Sequence, residues 1–264
     1  MTAIDNEDAG VAAQHAAPPI VRRLQLDDLT HSLRQGVLDF ARAPLYGLFF
    51  GGAYALGGWL IVATVFWLHI PYLAYPLAIG FALIAPFACA GTYEVAREME
   101  RGCAPTWRGV LGSVWAFAGK QLSWLSLVSL FTLILWVDFA WILFMMFYGL
   151  HVPTLRGLAA DVVTTQTGVV FLVVSNGFGA LIALAVFSIT VVSPTLLVDR
   201  EVDFVTAMLT SVRLVLANPF VMLVWAATIG ALLALSIATA FLGLLVTLPV
   251  LGHASWALYR RAVI

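Results

Sequence analysis

The sequence predicts an all-α fold: a polytopic membrane helical bundle of six transmembrane helices, with three amphipathic helices on the cytoplasmic side. Three observations predict it. The 264-residue chain is 62% hydrophobic and 10% charged, whereas a soluble domain is about 45–50% apolar and about 25% charged. Its apolar runs are long enough to cross a bilayer. Read as six spans, these runs put twelve of the 13 Lys and Arg residues on one side, leaving Arg156 alone on the other. The positive-inside rule makes the basic side cytoplasmic, here the cytoplasmic side of an inner membrane.

Residues 1–24 form the first segment, acidic and Ala-rich up to Pro19. They lack the basic and then apolar order of a cleaved signal peptide and read as a disordered cytoplasmic tail. Residues 25–264 read as a single membrane domain. A span needs about 20 apolar residues. Leu45 to Leu68 is the first such run and Tyr72 to Tyr93 the second. Ser123 to Phe147, interrupted by Asp138, is the third, and Gly168 to Ser193 the fourth. The run from Pro219 to Tyr259 would reach about 60 Å as one helix, twice a hydrocarbon core. It divides into spans at about 220–235 and 240–258, with the turn near Ser236 to Thr239.

An amphipathic stretch precedes each odd-numbered span. Asp27 to Ala43 sets Leu29, Leu33, Val37 and Phe40 on one side. Thr106 to Phe117 does so with Trp107, Val110, Leu111 and Val114, and Asp203 to Ala217 with Phe204, Met208, Val212 and Val215. The spacings are helical. Asp27 and Asp203 suit N-caps, and Pro105 suits a first turn. Ala43-Pro44-Leu45 parallels Asn218-Pro219-Phe220, and Pro86, Pro194 and Pro249 sit in or at the cytoplasmic ends of the even spans. The chain therefore reads as three units, about 25–102, 103–202 and 203–261. Gly47, Gly51 and Ala55, and again Ser175, Gly179 and Ala183, repeat at the four-residue spacing that lets membrane helices approach closely.

Polar residues within or beside the spans are the candidate sites. Asp138 and Asn176 fall at similar depth in neighbouring spans and could meet, either as a structural pair facing the bundle or as a protonatable site. His253 lies near the inner end of span six. Glu94, Asp199 and Arg200 mark cytoplasmic span ends, as an ion-pair cluster or as solvated boundary residues. Cys89 and Cys103 have no zinc-ligand or disulfide spacing. No phosphate-cradling glycine loop and no nucleophile elbow occurs. The sequence thus assigns no catalytic, metal or cofactor-binding residue and no cofactor, and it offers no nucleic-acid motif.

Several segments carry a resemblance to a bacterial family of predicted integral membrane proteins of unknown function. They are Ile84-Ala85-Pro86-Phe87 with Tyr93-Glu94, and Val192-Ser193-Pro194 with Leu197-Val198-Asp199-Arg200. Thr206-Ala207-Met208, Ser211-Val212 and Ala217-Asn218-Pro219 follow, then Leu248 to Trp256 with Leu258-Tyr259-Arg260. The resemblance spans nearly everything after residue 20 and implies the membrane architecture. Some members of that family are labelled cytochrome c oxidase subunit I. A haem–copper core takes several intramembrane His ligands; of His15, His31, His69, His151 and His253, only His253 falls within a predicted span.

Three classes of function stay open. The first is a non-enzymatic protein that organises or assists membrane complexes. The second is a transporter or channel for a small solute or proton, using Asp138. The third is a membrane redox subunit. The expected partners are the lipid bilayer and another membrane protein complex.

Overall fold

The computed structural model describes residues 19–67, 90–118, 122–149 and 155–264. These residues are helical apart from short connections and an isolated antiparallel bridge between Val21 and Val263. The helices are α1 (Leu26–Arg42), α2 (Pro44–Phe66), α3 (90–100), α4 (Trp107–Ala118), α5 (Leu122–Tyr148) and α6 (Leu155–Thr164). Then come α7 (Gln166–Thr190), α8 (Ser193–Asp199), α9 (Phe204–Ala217), α10 (Pro219–Ala238) and α11 (Leu244–Ala262). Four stretches are long and apolar enough to cross a membrane: α2, α5, α7 with its continuation α8, and α10. They match the first, third, fourth and fifth predicted runs. Most of the second run, residues 68–89, lies outside the described residues.

The last apolar run does divide in two. The turn falls at residues 239–243, slightly later than expected, and places Ala240 and Phe241 at positive φ. The Trp59 indole donates to Ala240 O at 2.8 Å and steadies this turn. The second half, α11, is not among the four apolar stretches, because Pro249, His253, Arg260 and Arg261 dilute it.

α11 is instead the centre of the packing. It runs antiparallel to α1 and α2 along their joint length. Gly58 lies on the Phe241 ring, Gly51 on Leu244 O, Gly47 on Pro249 and Gly36 on Val250 O and Ala254. Further along, Arg261 meets Asp28 at 3.1 Å, and Arg22 N donates to Ala262 O at 2.9 Å. Gly47 and Gly51 thus serve packing within the chain, as does Gly179, which sits against Trp136 of α5. Residues 20–24, assigned above to the tail, belong to this packed end: Leu24 is buried and its N–H donates to Asn218 Oδ1 at 2.7 Å.

One detail of the amphipathic stretches differs from expectation. The cap of α1 is Gln25 rather than Asp27, and its N–H donates to Asp28 Oδ2 at 2.9 Å; Asp203 caps α9 as expected. The buried face of α1 is Leu29, Ser32, Gly36 and Asp39, while Val37 is 53% exposed. That of α9 is Ala207, Thr210, Ser211 and Leu214, with Val205, Leu209 and Leu216 outward. Small and hydroxylated residues face protein because they let helices close up. Val37, Leu38, Val205, Leu209 and Leu216 face outward.

The parallel between the first and third units extends to backbone angles. Ala43 has φ −132° and ψ 54°, Asn218 φ −133° and ψ 52°, and each is followed by proline at the start of the next helix. Pro has no N–H to donate and suits a helix start, so the same bend arises twice.

The α1–α11 seam yields a paired prediction. A side chain at Gly36 would place its Cβ 2.5 Å from Val250 O, whereas Gly230 faces open space. Gly36→Val should destabilise by about 1–3 kcal/mol, as overpacking does. Gly230→Ala should be neutral or stabilising, since Ala is the better helix former. Thermal unfolding of both variants in one detergent checks this.

Candidate functional site

The charged residues gather at the end of the molecule formed by α3, α8, the C-terminal half of α11 and the start of α1. Local sequence explains how they get there. Val192 breaks the α7 ladder with φ −125° and ψ −4°, and Pro194 in the first turn of α8 cannot rejoin it. The Ser193 hydroxyl donates to Ile189 O and to Ala207 O, fixing the break against α9. The redirected α8 carries Asp199 and Arg200 to the end of α11. There Trp256, Tyr259 and Arg260 share a face, as residues three and four apart do.

Asp199 Oδ2 accepts from the Tyr259 hydroxyl at 2.7 Å and pairs with Arg260 at 3.1 Å. Arg200 Nε lies 3.8 Å from the same oxygen. Glu100 of α3 accepts from the Trp256 indole at 3.1 Å and from Arg260 Nε at 2.9 Å. The Arg260 guanidinium lies over the Trp256 ring. One turn back on α3, Arg97 pairs with Glu94 at 2.7 Å and donates to Val198 O at 2.9 Å. The structure therefore draws Glu94, Asp199 and Arg200 into one cluster. It adds Arg97, Glu100, Tyr259 and Arg260; the sequence marks Arg97 and Arg260 as basic residues and Tyr259 and Arg260 as family matches, and does not single out Glu100. Their spacing on α3 and α11 was readable; the pairing of those helices was not.

The electrostatics follow. Burial and the Asp199 carboxylate push the Tyr259 hydroxyl well above its ordinary range. The Glu100 hydrogen bond raises Arg260. The Gln25 N–H, aided by Arg261, holds Asp28 below its ordinary value of 3.8.

His253 is 1% exposed, and among the described residues neither ring nitrogen has a hydrogen-bond partner. It lies on α11 between Gly252, which touches Thr92 of α3, and Ala254, which touches Gly36 of α1. Asp39 of α1 accepts from Gln35 at 2.8 Å and Arg42 at 3.2 Å. His253 is thus separate from the ion-pair cluster, deeper along the same helix. Among the described residues, no group of three or more His, Cys, Asp or Glu could hold a metal ion.

The expected meeting of Asp138 with Asn176 does not occur. Asn176 is exposed and its amide donates to Leu172 O on its own helix at 2.8 Å. Asp138 is also exposed, so its expected orientation towards the bundle is corrected. Aromatic packing explains this. Trp136 lies on Gly179, Phe139 on Phe178 and Phe147 on Phe171, all of α7. At about 100° per residue, Asp138 is then about 180° from Phe147 and faces away. An ionised Asp at mid-bilayer costs about 2.5–3.5 kcal/mol on insertion scales.

Two outcomes test the cluster. Tyr259→Phe should lower stability by about 1.5–3 kcal/mol, as loss of a buried hydrogen bond to a charged group does. Glu100→Gln should cost under about 1 kcal/mol, since the Glu100–Arg260 pair is 42% exposed on both sides. Detergent unfolding should rank them in that order. For Asp28, a lowered folded-state value means its contribution is present above the ordinary carboxylate value and lost as pH falls through the folded one. The drop in unfolding midpoint between pH 5 and pH 3 should therefore be smaller in Asp28→Asn than in the unsubstituted protein.

No curated protein and no solved structure matches this chain. Residues 74–199 match a family described as predicted integral membrane protein (DUF2189). This segment holds α3 to α8, the Tyr93-Glu94 motif and Val192 to Asp199; Arg200 and the residue 206–260 motifs lie beyond it. Over residues 74–199, then, the chain matches a family of predicted integral membrane proteins of unknown function, as its sequence resemblance implied.

Proposed function

We propose that this chain is a non-enzymatic accessory or organising protein of membrane complexes. It sits in the bacterial inner membrane with six spans, and residues 25 and 264 lie on the cytoplasmic side. One contrast supports the reading. At one end of the molecule Glu94 pairs with Arg97, and Glu100 and Asp199 both pair with Arg260. The spans α5 and α7 turn Leu127, Phe131, Leu135, Val169, Val173 and Leu181 outward. Charges spent on internal pairing leave the base rigid, and apolar span faces offer surface to lipid and to other membrane helices.

The experiment is co-purification from native membrane in a mild detergent, with mass spectrometry and a visible absorption spectrum. A stable stoichiometric membrane partner, reduced by substitutions on the outer faces of α5 or α7, is expected. Reporter fusions active only outside the cytoplasm should be silent at residue 264 and active within residues 155–165. Uptake of a solute or protons by proteoliposomes of the pure protein, abolished by Asp138→Asn, would replace this reading with the transporter one. A haem band lost on changing His253 would replace it with the redox one.

A further inference from the structure

The outward side of α9 runs on into α10 as one stripe. Val205, Leu209, Leu216, Phe220 and Leu223 are each at least 47% exposed. With the exposed Arg213 they follow one another in steps of three and four residues, the spacing of one helix face. The opposite face of α9 is buried against the start of α8, where Val192 N donates to the Ser211 hydroxyl and the Ser193 hydroxyl to Ala207 O. Arg213 is the one charged residue of α9 and α10. Arg42, Arg97, Arg200, Arg260 and Arg261 each pair with a carboxylate. Arg213 makes no hydrogen bond or ion pair among the described residues. α10 is apolar enough to cross a membrane, so Phe220 and Leu223 near its start face acyl chains. Arg213 lies about 10 Å before Phe220 along the helix axes, at the level where the headgroups of those lipids stand.

We infer that this stripe is a binding site for an anionic phospholipid, with an acyl chain along Leu216, Phe220 and Leu223 and its phosphate on the Arg213 guanidinium. Two observations select a lipid. The stripe passes without a break from a cation to the exposed face of a membrane span, as a lipid passes from phosphate to tail. An acidic peptide in water would meet the cation and leave Leu216 and Phe220 uncovered. The same order recurs before the first span. Arg34 is exposed and likewise unpaired among the described residues, and Val37, Leu38, the Ala43 bend, Leu45 and Leu48 follow it outward. A lipid surface meets both junctions with one chemistry, whereas a protein partner would have to supply it twice. Charge selects the headgroup. A guanidinium donates two parallel N–H bonds to a phosphate, and phosphatidylglycerol, unlike phosphatidylcholine, carries no cation of its own to compete for it. Residue 90, where the second predicted run joins the described structure, begins a helix packed on α2 and α11, whereas α9 packs on α7 and α8. The site uses neither the α5 nor the α7 outer face and serves either orientation of the chain, so it is independent of the organising role proposed above.

The test uses the full chain with Cys89→Ser, Cys103→Ser and Ala227→Cys, the new thiol carrying a bimane; Ala227 is exposed, four residues beyond Leu223. The protein is reconstituted in vesicles where a fixed fraction of the lipid, either phosphatidylglycerol or phosphatidylcholine, is brominated on its acyl chains. Brominated phosphatidylglycerol should quench the label with a binding constant about fivefold higher, the equivalent of about 1 kcal/mol per basic residue near an anionic surface. Arg213→Gln should remove this preference, and Arg213→Lys should retain it. Arg101→Gln, which removes an exposed arginine with no large apolar residue exposed beside it, should leave it unchanged. A label on Leu242→Cys instead, in the turn at the other end of α10, should show no preference. Equal quenching by the two lipids, a preference that survives Arg213→Gln, or one lost equally in Arg101→Gln would each overturn the inference. The comparison of the two lipids keeps Arg213 in place, so its result stands even if the Gln variant fails to fold. A protein that co-purifies from native membrane and is lost in Arg213→Gln, with no lipid preference in vesicles, would overturn the lipid site and leave the organising role intact.

Discussion

Close backbone approach along α11 is the constraint on which the other contacts depend. A helix with proline and histidine in its middle and two arginines at its end is a poor membrane span when taken alone. It becomes the axis of the molecule because α1 and α2 present glycine along it, at Gly36, Gly47 and Gly51, and Gly58 to the turn before it. Side chains at these points would force the helices apart. The α3 face of α11 is close as well, with Gly252 against Thr92. Once α11 is gripped from both sides, its last turns are fixed, and with them Trp256, Tyr259 and Arg260. The ion pairs at the charged end are therefore a result of the seam rather than its cause.

This end resembles the core of a water-soluble protein more than a bilayer bundle. Trp225, Tyr259, Leu196, Leu214 and Met222 are fully enclosed, and Asn218 binds Leu24 N and Arg22 O with one side chain. The apolar spans leading away from it are far more open: of the most apolar 18-residue stretch in each, none is buried in the α7 span and 6% is in α5. The hydrophobic effect holds the first region together because water is its competitor. It offers little between spans in lipid, where packing shape and hydrogen bonds act instead. Aromatic contacts fill that role between α5 and α7, through Phe171 and Phe178.

Composition and charge made the membrane class legible, and 3.6-residue periodicity gave the helices. Chain geometry required the last apolar run to divide. The bends at Ala43-Pro44 and Asn218-Pro219 were legible as well, because proline restricts backbone choice locally. Which face of a helix is inward was not. In water, an apolar stripe points in; in this chain Val37, Leu209 and Leu216 point out, and Ser32, Gly36, Thr210 and Ser211 point in. Asp138 was misplaced for the same reason. Depth along a span follows from counting, but rotation about its axis was decided by Trp136, Phe139 and Phe147. The charged cluster was half legible. Glu94, Asp199 and Arg200 stood out as boundary residues, but the pairing of α3 with α11 is a long-range fact that no local pattern encodes.

The α1–α11 seam also bears on assembly during synthesis. The residues that close it, Gly36 with Ala254 and Val21 with Val263, are separated by most of the chain. Loop closure over such a distance is entropically costly and comes late. While the ribosome is still adding the middle helices, α1 and α2 therefore stand in the membrane with their glycine notches unfilled. Nothing in α4 to α9 substitutes for α11 there among the described residues. Final consolidation of the charged end waits for the last helix, so a chain stalled before residue 244 has the apolar helices α2, α5, α7 and α10 but lacks the element that joins them.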